Sequence, residues 1–195
     1  MQPIDTGKAY DQITHLWQRE GFDRTNGIAQ HEKALSYAKN SGLALDVGCG
    51  CTGRFIDLLL SHGFTPQGID ISQKMLQLAQ ERHPNIEFIH ADICQWQPSN
   101  KYDFITAWDS IWHVPLAQQE ALMTKLMSML TKDGVLIFSA GGIEEPQQHT
   151  DDAMGVEVYY GTLGFKKHLA LIDQCGCVCH YVEYELHCYF IVQRT

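Results

Sequence analysis

An apolar run, Leu43-Ala44-Leu45-Asp46-Val47, passes directly into Gly48-Cys49-Gly50-Cys51-Thr52-Gly53. Glycines at this spacing, after a strand and before a helix, let the backbone turn tightly and approach a ligand closely, which is how nucleotide-like molecules are held. Two acids narrow the choice of ligand. Asp70 ends the next apolar strand, Gly68-Ile69-Asp70-Ile71, where a carboxylate can accept from ribose hydroxyls; a dinucleotide site wants the same acid, so Asp70 does not discriminate. Asp46, just ahead of the first glycine, does. It is poorly placed for an anionic pyrophosphate and well placed for a ligand carrying an ammonium and a sulfonium.

With these residues in order, the chain resembles the class I S-adenosylmethionine-dependent methyltransferases. Asp46 to Gly53 reads like their first motif, Ala91-Asp92-Ile93 like the segment that reads adenine, and Tyr102-Asp103-Phe104-Ile105-Thr106-Ala107-Trp108 like their fourth strand. The likeness is close from Leu43 to Gly141 and loose in the flanks. It implies S-adenosyl-L-methionine as cofactor. Gly48, Gly50 and Gly53 would pass under its methionine part, Asp46 would meet its amino group and Asp70 both ribose hydroxyls. Ile71 and Met75 would flank the adenine, Asp92 and the Ile93 amide would read its edge, and Trp108 would close the cofactor side. Each has a plainer alternative: a tight turn for the glycines, a structural hydrogen bond for Asp46, helix packing for Met75, a turn residue for Asp92.

A methyl acceptor belongs beyond the carboxyl end of the fourth strand, at Trp108-Asp109-Ser110-Ile111-Trp112-His113-Val114-Pro115. The tetrad D-P-P-Y or N-P-P-Y of DNA amino-methylating enzymes is absent there. His113 aligns with a histidine of small-molecule members and is the candidate general base, against a reading in which it only packs and bonds its loop. Tyr10, Trp17, Asp109, Trp112, His113 and Tyr159 are the candidate substrate-side residues; Arg54 is a first-turn cation of unassigned role.

The chain has 195 residues, 45% hydrophobic and 19% charged, as expected for one domain with a full core. A formal charge of −9 argues against a nucleic-acid partner, which needs clustered Lys and Arg. No apolar run is long enough to span a membrane and no leader pattern opens the chain, so it reads as cytoplasmic, acting on a small-molecule methyl acceptor. Seven cysteines, an odd number, read as reduced thiols. Cys175, Cys177 and Cys179 lack the C-x-x-C pair usual for zinc and read as small buried hydrophobes, so no metal is expected.

Hydrophobic periodicity predicts helices over Tyr10–Asn40 interrupted at Gly21–Gly27, Gly53–Ser61 capped by Thr52, Ser72 to before Pro84, Leu116–Leu130 and Leu163–Gln174. Strands are predicted at Leu43–Val47, Gln67–Ile71, Ile86–His90, Asp103–Trp108 and Val135–Ser139, with Ala140–Gly155 as loop. The last two runs, Val178–Glu185 and Cys188–Gln193, joined by Leu186-His187, can only pair antiparallel. The expected fold is therefore α/β: a Rossmann-like, doubly wound, seven-stranded sheet, mostly parallel with an antiparallel C-terminal strand. It is divided into a helical lid (1–40), a cofactor-binding core (43–141) and a substrate-side segment with the terminal hairpin (142–195).

Overall fold

The computed structural model describes residues 1–184 and 187–195. Nine strands are assigned among them: β1 (Leu43–Val47), β2 (Thr65–Asp70), β3 (Glu87–His90), β4 (Tyr102–Ala107), β5 (Leu130–Ser139), β6 (Gln147–Asp151), β7 (Val158–Thr162), β8 (Cys177–Glu183) and β9 (Tyr189–Arg194). Seven of these form one sheet in the order β3-β2-β1-β4-β5-β9-β8. β3 to β5 are parallel, and β9 runs antiparallel to both β5 and β8. Glu185 and Leu186, expected at the end of β8 and in the terminal turn, lie outside the described residues.

Alternation along the strands divides the core. Ala44, Phe104, Val135 and Ile137 face one side, under α3 (Ile28–Leu35) and α4 (Arg54–Ser61). Leu45, Val47, Ile105, Leu136 and Phe138 face the other, under α6 (Leu116–Ser128) and α7 (Phe165–Gln174). α5 (Gln73–Arg82) packs on β2 and β3. Ser72 caps it as expected, its Oγ accepting from the Met75 amide at 3.2 Å.

Four expectations are corrected. The N-terminal helix begins at Pro3, not Tyr10: α1 spans Pro3–Ile13 and is followed by the short α2 (His15–Gln18). Proline suits the first helical turn, where its missing N–H leaves no bond unmade. Thr52 does not cap α4; Gly53 does, at φ 67°, and Thr52 Oγ1 instead accepts from the Arg54 guanidinium at 3.2 Å. The fifth strand begins at Leu130 rather than Val135, taking Lys132-Asp133-Gly134 into β5, with Asp133 at φ 64°. Within the expected loop, β6 pairs with β7 as a separate antiparallel hairpin; β6 is polar and mostly exposed, so no apolar alternation announced it.

α1 lies across the carboxyl ends of the strands. Asp11 anchors it: one carboxylate oxygen accepts from Ser72 Oγ at 2.6 Å and from the Lys74 amide at 3.0 Å, at the N-terminus of α5. No helix among the described residues is long and apolar enough to cross a membrane.

Candidate functional site

The parallel strands end at two adjoining cavities that share Tyr10, Gly48, Asp70, Asp109 and His113. The first, of about 670 Å³, is a slot between α1, at Pro3 and Thr6, and the ends of β2 and β3, at Ile71, Ala91, Asp92 and Ile93. The second, of about 900 Å³, runs over the glycine turn between Arg54, Trp108, Trp17, Trp112, Met154 and Tyr160.

Strand β1 delivers the turn, and its glycines have distinct reasons. Gly48 has φ 69° and a Cβ there would lie 2.3 Å from Ser110 Cβ, so the loop after β4 closes onto bare backbone. Gly50 has φ 57° and open space where a side chain would project; it keeps the cavity floor clear. Gly53 lines neither cavity: its missing side chain would meet Arg82 and His83 at the end of α5.

Asp70 stands at the junction. Its Oδ2 accepts from the Gly50 amide and its Oδ1 from the Ser72 amide, both at 2.8 Å, which fixes the carboxylate and ties the glycine turn to β2. Burial raises its pKa while these amides oppose the shift. Asp46 is 3% exposed and forms no wall of either cavity. Its position on β1 points it under α3 and α4, and burial pushes its pKa up to about 7 against the pull of Arg54. Ile71, Met75, Asp92, Ile93 and Trp108 all line a cavity. Asp92 also closes a turn by accepting from the Cys94 amide at 2.8 Å.

The loop after β4 carries further candidate side chains. Asp109 has φ 53°, a conformation rare for residues with a side chain. It is held by the Asp109 amide donating to Ser139 Oγ at 2.7 Å, and its carboxylate accepts from Asn26 Nδ2 and Ser139 Oγ at 3.3 and 3.2 Å. His187 Nε2 lies 2.9 Å from it, and the His187 ring stacks on Trp108 at 4.8 Å.

Both nitrogens of His113 are engaged. Nδ1 donates to the Tyr159 carbonyl at 2.8 Å, and Nε2 therefore accepts from Tyr10 Oη at 2.6 Å and from Trp112 Nε1 at 3.0 Å. Burial lowers its pKa to about 4, so the ring is neutral at pH 7. Burial likewise raises the Tyr10 hydroxyl far above its usual range. His113 thus organises Tyr10 and Trp112 and has no free lone pair for an acceptor's proton.

Tyr159 is corrected as a cavity residue. In β7 successive side chains alternate, and its ring turns inward, where its hydroxyl donates to Gln148 and accepts from the Leu116 amide. Tyr160, its neighbour, lines the second cavity. Sequence reasoning also passed over Pro3, Thr6, Phe22, Asn26 and Met154; a helix started at Pro3 would have found the first two, because Thr6 and Tyr10 then share a face one turn apart. The seven cysteines are free, and no cluster of metal-ligating side chains occurs among the described residues.

Residues 44–134 match the sequence profile of the methyltransferase domain family. Trans-aconitate 2-methyltransferase of Enterobacter sp. (strain 638) is 34% identical over 134 residues, covering 67% of this chain and 52% of the relative. The enzyme of the same name from Yersinia pestis (strain Pestoides F) is 43% identical over 96 residues, 47% and 35% of the two chains. The chain thus spans about half the length, or less, of these curated relatives. Among solved structures, a Pyrococcus horikoshii protein superposes with a TM-score of 0.74 at 21% identity over 90% of this chain and 92% of its own. An amino pentose methyltransferase from Micromonospora echinaspora, bound to S-adenosylmethionine, gives 0.70 at 18% identity over 93% and 95%. At these identities the superpositions speak to the fold.

Proposed function

We propose that this chain, whose residues 44–134 belong to the methyltransferase domain family and whose sheet is that of class I S-adenosylmethionine-dependent methyltransferases, transfers a methyl group to a small-molecule acceptor. The observation that carries the reading is Asp70, a fixed carboxylate at the end of β2, opening on both cavities beside the cleared floor at Gly50. In this reading it accepts from both ribose hydroxyls of a sugar that joins the two cavities.

From there the residues divide the cofactor. Ile71, Ala91, Asp92 and Ile93 suit a flat adenine with an exocyclic amine. Gly48 and Gly50 suit the methionine part, with Arg54 toward its carboxylate and Asp109 toward its amino group. Asp46 lies buried beneath the turn and out of reach of both cavities. When bound, S-adenosyl-L-methionine supplies an electrophilic methyl on a sulfonium. The protein's own work is to align the acceptor and exclude water, which the α1 roof and the aromatic walls do. His113 is a positioning residue in this reading: it orients Tyr10 and Trp112.

Calorimetric titration with S-adenosylhomocysteine, with NAD as control, tests the assignment. Micromolar binding of the first alone supports it; equal or preferential NAD binding refutes it.

A further inference from the structure

On the donor reading above, in which Asp109 meets the cofactor's amino group, we propose that His187 is a positioning residue of the donor site, whose proton competes with the donor's ammonium for the Asp109 carboxylate. The antiparallel end of the sheet delivers it. Ser139, the last residue of β5, pairs with Tyr189, the first of β9, and the Ala140 amide donates to the Cys188 carbonyl at 2.9 Å. Cys188 is buried, so the residue before it is fixed where β5 leaves the sheet. Ser139 Oγ and His187 Nε2 then reach the same oxygen of Asp109, Oδ1, at 3.2 and 2.9 Å, while Oδ2 accepts from Asn26 at 3.3 Å.

Charge is what the contact transmits. Nε2 is shut off from solvent and its approach to Oδ1 lies off the line of a hydrogen bond, so His187 acts on the carboxylate chiefly through the charge of its ring. Trp108 lies against the face of that ring at 4.8 Å and 18°, and Trp112 meets it edgewise at 5.9 Å. An indole face and a carboxylate are both groups to which a cation is attracted. Among the described residues, Asp109 is the acid that pairs with His187. On the terminal hairpin, Glu183 accepts from the Tyr181 hydroxyl at 2.7 Å. On the far side of Asp109, the groups that feel its charge are Arg54, Tyr10, His31 and His113.

One carboxylate charge balances one cation. With a proton on His187, the charge of Asp109 is already met and an arriving ammonium faces a second cation; with His187 neutral, the ammonium has the carboxylate to itself. Binding of the donor and of this proton are thus antagonistic, and the coupling is reciprocal. Donor affinity should fall as pH drops through the range in which histidine gains charge. Asp46, buried beneath the turn with its pKa raised to about 7, titrates in the same range and pulls in the same direction. The share that belongs to His187 is the part that disappears when His187 is replaced and Asp46 is left in place.

The test titrates S-adenosylhomocysteine calorimetrically into the full chain and into His187→Gln, each at about pH 5.5 and about pH 8. The control ligand is methylthioadenosine, which keeps the adenine, the ribose and a thioether but has no ammonium. Between the two pH values the wild type should lose at least about threefold more affinity for S-adenosylhomocysteine than His187→Gln does, a size suited to a partly exposed charge pair. For methylthioadenosine the pH dependence should be the same in both proteins. In Asp109→Asn, which keeps a residue that tolerates the left-handed backbone, the extra loss should vanish although His187 remains. Equal pH dependence in wild type and His187→Gln, the same excess with methylthioadenosine, or its persistence in Asp109→Asn would each overturn the proposal. Failure of S-adenosylhomocysteine to bind the wild type at pH 8 sinks the donor reading instead, and is seen before any variant is compared.

Discussion

The carboxyl of Asp46 makes a quantitative forecast. It is buried beneath the glycine turn with its pKa raised to about 7, against about 3.9 in an unfolded chain. For an acid shifted upward, the native state holds the proton over a range in which the unfolded state has lost it. Stability is then greatest below the unfolded pKa, falls as pH rises, and levels off above the folded pKa. Between pH 5 and pH 7 the interval is about two pH units at ~1.4 kcal/mol each, so Asp46 alone withdraws up to about 3 kcal/mol, and about 2 after local relaxation. Asp46→Asn removes the titration and nearly keeps the shape. The measurement is urea unfolding of both proteins at pH 5 and at pH 8, reading the difference between them at each pH so that all other groups cancel. The variant should gain about 2 kcal/mol on the wild type at pH 8 relative to its standing at pH 5. A difference that does not change with pH would refute the reasoning, because it would mean that Asp46 is ionised in the native state throughout.

Asp70→Ala should weaken S-adenosylhomocysteine binding by about 10- to 100-fold, the loss of two charge-assisted hydrogen bonds, read by calorimetry. His168 is buried between Phe138 and Phe190 with neither ring nitrogen bonded, and burial lowers its pKa to about 4; a lowered histidine costs stability as pH falls below 6.5. His168→Phe should therefore gain about 2 kcal/mol over wild type at pH 5 compared with its standing at pH 8, measured by the same unfolding experiment. Gly48→Ala should destabilise by ~2 kcal/mol or more, because its Cβ would sit 2.3 Å from Ser110 Cβ at φ 69°; an unchanged melting temperature would contradict the closeness of that packing. Nitrogen-resolved NMR of His113 should show the Nδ1–H tautomer and no titration between pH 5 and 8, given a pKa of about 4.

The glycine turn at the centre of the candidate site was legible because it is built from local pattern. A strand, a glycine turn and a helix announce themselves within a dozen residues, and β1 falls at Leu43–Val47 as read. The terminal hairpin was legible for a topological reason, since a two-residue link cannot carry a parallel return. The rest of the candidate site was not. Its walls come from α1, the loop after β4 and β7, which meet only in space: Tyr10 and His113 bond across a sequence separation of 103 residues. The choice between Tyr159 and Tyr160 turned on strand phase in a segment whose partner strand, β6, is polar on both faces. Nor could sequence tell that Asp46 would be covered, since a strand-end acid is exposed or buried according to what packs over it.

Tyr10 and His113 belong to both inner cavities, so donor and acceptor compartments meet at one hydrogen-bonded pair, and Asp11 fastens the same helix next to Asp70. On the proposed function, in which the slot roofed by α1 takes the donor's adenine and the second cavity its methionine part, one consequence is expected for turnover. An acceptor seated over that methionine part would obstruct donor exchange, so the donor is expected to enter first and its demethylated product to leave last. Initial-rate patterns should accordingly be those of an ordered sequence, with S-adenosylhomocysteine competitive against the donor and noncompetitive against the acceptor. Any opening of that roof has to part the Asp11 carboxylate from Ser72 Oγ and the Lys74 amide.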